Sequence, residues 1–151
     1  MSLSAEDLLD LQDLHARYAW ALDTGDAQGV ADLFAPDAVM MGTNGAVHNG
    51  RSAIAAYCRS VVENPVYKGS QHHVGHPMIQ GDATKAAGRL YWNVLRADQK
   101  TGDTKVHMLG YYQDEYVKQG DRWFFTKREI HPWREGEIPW VGPKVALPGQ
   151  A

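Results

Sequence analysis

The 151-residue chain contains a single cysteine, Cys58. It can form no internal disulfide, so its stability has to come from burial rather than cross-links. No run of 18 apolar residues and no basic-then-apolar leader is present, so neither a membrane span nor a secretory signal is expected. A basic excess is also missing. With 15 Lys and Arg against 18 Asp and Glu, the formal net charge is −3, which offers no electrostatic footprint for nucleic acid or an anionic membrane. Internal repeats and low-complexity segments are absent from the sequence. These absences lead to the expectation of a soluble, cytoplasmic protein that binds a small molecule. At this length, with 44% hydrophobic residues, one globular domain over 1–151 with a sizeable core is expected.

The pattern changes from helical to extended near residue 70. Ser4-Ala-Glu-Asp7 reads as a capping box, and Leu8, Leu11, Leu14, Tyr18 and Leu22 recur at helical spacing up to Gly25. Asp26 is placed to cap a short second helix through Val30 and Leu33, which Pro36-Asp37 would stop. Short strands over 38–41 and 46–48 flank Asn44-Gly45, a dipeptide suited to a two-residue hairpin turn. A third helix is expected over 52–62, with Ile54, Tyr57, Cys58 and Val61 on one stripe. Four extended runs follow at 70–80, 85–97, 104–118 and 122–133, separated by polar turn segments. They predict a long antiparallel meander. Strands well beyond the usual five or six residues must twist and curl, and bulges are expected near Gly88 and Gly110. The fold class is therefore α+β: a curled antiparallel or mixed sheet whose pocket is enclosed by three N-terminal helices. Residues 134–151, with Pro139, Pro143 and Pro148 beside Trp140 and Val145, read as an irregular C-terminal arm.

Two fragments carry the chemistry. Tyr18-Ala-Trp20-Ala-Leu22-Asp23-Thr-Gly places a carboxylate at the end of the first helix, where the negative end of the dipole disfavours it by about 0.3–1 kcal/mol. Gln71-His72-His73-Val-Gly-His76-Pro77 places an imidazole at the start of the first long strand. A carboxylate beside an imidazole fixes its tautomer and stabilises the imidazolium, which suits a general base that needs no metal or nucleotide. His73 alternates to the opposite face. On a strand, His72 and His76 lie about 13 Å apart, too far for one ion bound at about 2 Å per ligand, so no metal is expected. His107 could still join them from another strand. Tyr18 continues the apolar stripe and can either fill core space or donate its hydroxyl. Alternation turns Arg128 toward the face of Phe124, Thr126 and Ile130, where it needs an anion. Trp20, His76, Trp92, Met108, Tyr112 and Trp133 are candidates for the wall around a flat or cyclic hydrophobic guest. His15, His48 and Cys58 read as structural or surface residues.

The order helix, helix, short strands, helix and long meander resembles the nuclear transport factor 2-like, or SnoaL-like, fold family, which implies that the curled sheet is cone-shaped. The resemblance rests on Asp23-Thr-Gly-Asp26, Leu33-Phe-Ala-Pro-Asp37, Gly50-Arg51-Ser-Ala-Ile54 and Gly120-Asp-Arg-Trp123-Phe. Within the family the chain is most similar to the scytalone dehydratase-like branch, which includes hexachlorocyclohexane dehydrochlorinase and bile-acid 7-alpha-dehydratase. The resemblance implies that Asp23 and His72 form the catalytic pair. It further implies that Tyr18 matches a tyrosine of the bile-acid enzyme, and that Arg128 matches a final-strand arginine of the dehydrochlorinase. A cofactor-independent lyase acting on a small cyclic or aromatic substrate is the implied activity, with an isomerase or C–C lyase using the same pair as a variant. The alternative is a non-catalytic binding or structural subunit, such as the beta subunit of ring-hydroxylating dioxygenases, because one fold hosts many functions. Apolar residues on the C-terminal arm, Trp133, Ile138, Trp140 and Val145, suggest a homo-oligomer. The dehydratase branch implies a trimer before a dimer.

Overall fold

The computed structural model describes residues 2–134. Helix α1, Ala5–Asp23, opens with Ser4 as N-cap, and the Ser4 and Asp7 side chains satisfy each other's backbone N–H groups. Asp7 has a second task, since it accepts hydrogen bonds from Lys118 Nζ at 2.7 Å and Trp123 Nε1 at 3.1 Å. The cap therefore also fixes the start of the helix to the sheet. Those bonds hold the Asp7 carboxyl well below its ordinary range, with Lys118 the largest cause.

Helix α2 spans only Ala27–Ala31, capped by Asp26. It ends before Leu33 because the chain is already extended at Phe34, in strand β1, Phe34–Met41. Pro36 lies inside that strand, in an irregular stretch where Phe34 pairs with Phe125 and Val39 with Lys127. A proline is tolerated there because no ladder hydrogen bond is asked of it. Strand β2, Val47–Asn49, follows a five-residue loop rather than the two-residue turn expected at Asn44-Gly45. Helix α3, Arg51–Val62, is seated on β1 by Arg51, whose Nε and Nη2 both donate to the carbonyl of Phe34. A 3-10 turn at Pro65–Tyr67 then leads into β3, Ser70–Gly81, β4, Lys85–Ala97, β5, Thr104–Gln119, and β6, Arg122–Pro132.

The six strands form one mixed, open sheet in the order β2-β1-β6-β5-β4-β3, parallel only between β1 and β6. Register shifts fall between Gly75 and Met78, between Val94 and Leu95, and between Glu115 and Tyr116. None falls at Gly88 or Gly110. Those glycines answer a different need, close approach of neighbouring strands: a Cβ on Gly110 would sit 2.0 Å from the carbonyl of His131. The three helices cover the concave face. The core between them includes Leu11, Tyr18, Phe34, Ile54, Trp92 and Phe125, each nearly inaccessible to solvent.

Candidate active site

The end of α1 and the start of β3 meet at Asp23. Its Oδ2 accepts the backbone N–H of His72 at 2.8 Å, and its Oδ1 lies 2.6 Å from His72 Nδ1. One carboxylate thus fixes both the strand and the ring. Hydrogen bonds to a charged acceptor contribute about 1.5–3 kcal/mol each, which exceeds the dipole cost of an acid at a helix C-terminus. A carboxylate can only accept, so Nδ1 carries the proton and Nε2 is left as a base. Both side chains are mostly covered, 17% and 11% exposed.

His72 opens onto a cavity lined also by Tyr18 and Leu22 of α1, Tyr57 and Cys58 of α3, Tyr67 of the 3-10 turn, Trp92 and Tyr112. Met108 and Ile130 complete its floor on the sheet. The enclosed space is about 30 Å³, room for a water or two. Its walls are protonated at neutral pH: burial holds the Tyr18 and Tyr112 phenols well above their ordinary range and pushes the Cys58 thiol up to about 12. The indole Nε1 of Trp92 is buried without a hydrogen-bond partner, an exception of the kind that functional sites supply. The Trp92 ring lies nearly parallel to that of His72, 6.5 Å away.

Of the candidates named from sequence, Tyr18, His72, Trp92, Met108 and Tyr112 share this cavity, with Asp23 behind His72. The other candidates lie elsewhere. Trp20 is 72% exposed, because two residues turn a helix by about 200° and carry it away from Tyr18. His76 is also exposed; it has φ of 52° inside the Gly75–Met78 irregularity, which breaks the alternation that would have turned it inward with His72. Its ring meets Tyr91 instead, as does that of Trp133, beyond the cavity walls. His107 contacts Tyr67, and no group of three or more His, Cys, Asp or Glu among the described residues is arranged to hold a metal ion.

Arg128 is fully buried, and its anion is Asp114, not a guest. Nε and Nη2 donate to the two Asp114 oxygens at 2.9 and 2.8 Å. Its face also differs from the expected one: Thr126 is the extra residue where Lys127 pairs with Glu115 and Phe125 with Tyr116, so Phe125 rather than Phe124 shares the inner side. The guanidinium is caged by the rings of Tyr112, Tyr18 and Phe125 at 4.0–4.2 Å. Nη2 also donates to His15 Nδ1 at 2.9 Å, and His15 Nε2 lies 2.9 Å from the Tyr116 hydroxyl, which donates to Asp114. The ring of contacts closes on itself. Burial, then Arg128, holds the His15 imidazole neutral, well below its ordinary range. Burial raises the Asp114 carboxyl above its ordinary range against the opposing pull of Arg128, and Asp114 in turn holds the buried guanidinium protonated. Sequence reading missed this network, although two signals were present. His15 interrupts the stripe Leu11, Leu14, Tyr18, and Asp114 alternates inward between Tyr112 and Tyr116.

Comparisons with known proteins agree with this architecture. The SnoaL-like domain family matches residues 3–129. Among solved structures, Rv3472(D26N), described as a protein of unknown function from Mycobacterium tuberculosis, is 28% identical with a TM-score of 0.76 over 85% of this chain and 72% of that one. A protein from Catenulispora acidiphila, solved in complex with S-DNPA, is 25% identical with a TM-score of 0.73 over 85% and 95% of the two chains. A candidate scytalone dehydratase from Novosphingobium aromaticivorans is 21% identical with a TM-score of 0.73 over 85% of each chain, a likeness of fold alone. No curated protein matches. From helical hairpin to final strand, the chain belongs to the SnoaL-like domain family.

Proposed function

We propose that the chain is a cofactor-independent lyase of the dehydratase type, with His72 as general base and Asp23 as the residue that orients it. The observation that carries this reading is the double contact of Asp23 with the His72 backbone and Nδ1, which leaves Nε2 bare beside the cavity. In the proposed elimination, Nε2 takes a proton from a carbon of the substrate and the C–H electrons form a C=C bond. The neighbouring C–O bond breaks, and the oxygen leaves as water after taking up the imidazolium proton. Tyr18, a neutral phenol, and Trp92, with its unpaired N–H, donate hydrogen bonds to substrate oxygen. Arg128 acts at one remove by holding Tyr18 and Tyr112 in place.

The substrate class is a small hydrophobic, cyclic or aromatic hydroxy compound. The cavity is too narrow for a ring as it stands, so Tyr57, Tyr67 and Met108 would have to rotate on binding. That narrowness is what favours the rival reading, a binding or structural module without catalysis. The choice between them rests on turnover. In a screen of alicyclic and aromatic hydroxy compounds, wild-type protein releases water from at least one, and His72→Ala loses about 100-fold of that rate. Equal turnover in His72→Ala would overturn the lyase. The same proposal covers one domain over the whole chain and assembly as a homo-oligomer, a trimer before a dimer. Among the described residues the exposed Met78, Tyr91, Val106 and Leu109 support assembly, and sedimentation as a monomer at micromolar concentration would refute it. Ile138, Trp140 and Val145 of the arm lie outside the described residues. No described helix is long and apolar enough to cross a membrane, and cytoplasmic residence is part of the proposal.

A further inference from the structure

One group of charges near the cavity has no role in the proposed elimination. Ser70, His72 and Val74 face inward from β3, and their pairing partners Arg96, Val94 and Trp92 share that face on β4. Lys105 of β5 pairs in turn with Arg96. Side chains of directly paired residues stand on one side of a sheet, so Arg96 and Lys105 are neighbours on the cavity side, at the end of the strands where β3 begins. Arg96 lies two residues, about 7 Å, along β4 from the partner of His72. Between Lys105 and Met108 the ladder shifts and His107 is the extra residue. The His107 ring meets Tyr67 at 6.1 Å, and Tyr67 lines the cavity. None of the three lines the cavity wall itself; they stand just beyond it on the same side of the sheet, with Arg96 half-buried and Lys105 exposed.

Like charges directly opposite each other destabilise a sheet, and among the described residues no direct ion pair offsets them. Neither the Arg96 nor the Lys105 head group makes a hydrogen bond or ion pair with another described residue. Asp98 feels both charges at longer range. However, its Oδ1 is occupied by the N–H groups of Lys100 and Thr101 in its own turn. His107 adds no charge at neutral pH, since burial and then the two cations hold its imidazole below the ordinary range. A pair of adjacent cations, one half-buried and one exposed, with no ion-pair partner among the described residues, on a chain of net charge −3, fits a negatively charged ligand.

We propose that Arg96 and Lys105 anchor an organic oxyanion, so that the guest of the Asp23–His72 site carries a carboxylate or phosphate on its apolar body. This inference rests on the placement of the site described above but not on its chemistry. The test is calorimetric titration of the full chain with benzoate, phenyl phosphate and uncharged benzamide, at low salt and at high salt. The expected result is that at least one anion binds about tenfold or more tighter than benzamide, the gap that a charge-assisted hydrogen bond supplies, and that salt narrows it. The stronger of the two anions identifies the group recognised. Arg96→Gln with Lys105→Gln abolishes the gap, and the charge-conserving Arg96→Lys with Lys105→Arg keeps most of it. Trp20→Ala, outside the cavity, keeps it in full. Equal binding of all three compounds, no saturable binding of either anion, or a preference that survives the double Gln variant would each overturn the proposal. An anion preference that holds while His72→Ala retains full turnover would sink the lyase reading and leave the anion site standing.

Discussion

The protein contains two histidine–aspartate assemblies, and they differ in what the imidazole has left to offer. At Asp23–His72, one ring nitrogen is held by the carboxylate and the other borders a cavity. At His15–Asp114, Arg128 donates to Nδ1, Tyr116 engages Nε2, and the ring is closed and buried. The residue types are alike, but only the first assembly retains an unused lone pair next to space for a guest. The second adds an arginine, and with it both ring nitrogens of His15 are engaged, although Arg128 Nη1 itself is buried without a hydrogen-bond partner. That engagement makes it a structural device, fixing α1 to the sheet and holding Tyr18 and Tyr112 at the cavity wall. The lesson is that a histidine paired with an acid becomes a candidate base only where the remaining nitrogen stays unspent.

Several substitutions would break or sharpen that contrast. The largest effect is expected in the sealed assembly, where Arg128→Met leaves Asp114 buried without its cation. A loss of about 3–5 kcal/mol in denaturant unfolding is expected, with Arg128→Met plus Asp114→Leu recovering much of it. A loss under about 1 kcal/mol would mean that water reaches this ring. In the open assembly the order reverses, activity before stability. His72→Ala is expected to lower turnover about 100-fold, some 2.7 kcal/mol of barrier, while stability falls by no more than the about 1.5–3 kcal/mol of its one ring-to-carboxylate hydrogen bond. Asp23→Asn lowers turnover too, and the double variant loses little more than the worse single one.

The pH dependence of stability separates the assemblies further. The folded-state pKa of His15 is depressed, so below about pH 6.5 the unfolded chain takes up a proton that the folded chain refuses. Stability from this site is complete above that pH and declines as pH falls, by up to about 1.4 kcal/mol per pH unit. Denaturant titrations of His15→Gln between pH 7 and 4.5 should show a shallower acid slope than wild type; an identical slope would place the lost proton elsewhere. The smallest effect is expected at Trp20, which touches neither assembly. Trp20→Ala should change stability by no more than about 0.5 kcal/mol and leave ligand binding unaltered, and a tenfold loss of affinity would return Trp20 to the site.

Much of the frame was legible in the chain. The capping box at Ser4, the stop near Gly25 and the four long extended runs all follow local rules, and the strands lie within a residue or so of where alternation places them. The pairing of Asp23 with His72 was legible only by resemblance, because 49 residues separate them and no periodicity links a helix end to a strand start. Irregularity hid the rest. A left-handed residue at His76 and extra residues at Thr126 and His107 each reverse alternation locally, and such positions depend on sheet curl that no window of residues contains. The sealed network escaped for another reason. A histidine in an apolar helical stripe and an aspartate between inward tyrosines are each unexplained alone, and they explain each other only once α1 lies across β5 and β6.

The contrast reduces to where one proton sits on each ring, and long-range ¹H–¹⁵N correlation spectra of the imidazoles at pH 8 report that position directly. Opposite tautomers are expected: His72 protonated on Nδ1, facing Asp23, with Nε2 bare, and His15 protonated on Nε2, facing Tyr116, with Nδ1 bare to accept from Arg128. Asp23→Asn should release the His72 preference and leave His15 unchanged. A His72 ring that carries its neutral-form proton on Nε2 would have no base to offer the cavity and would contradict the proposed function at its root.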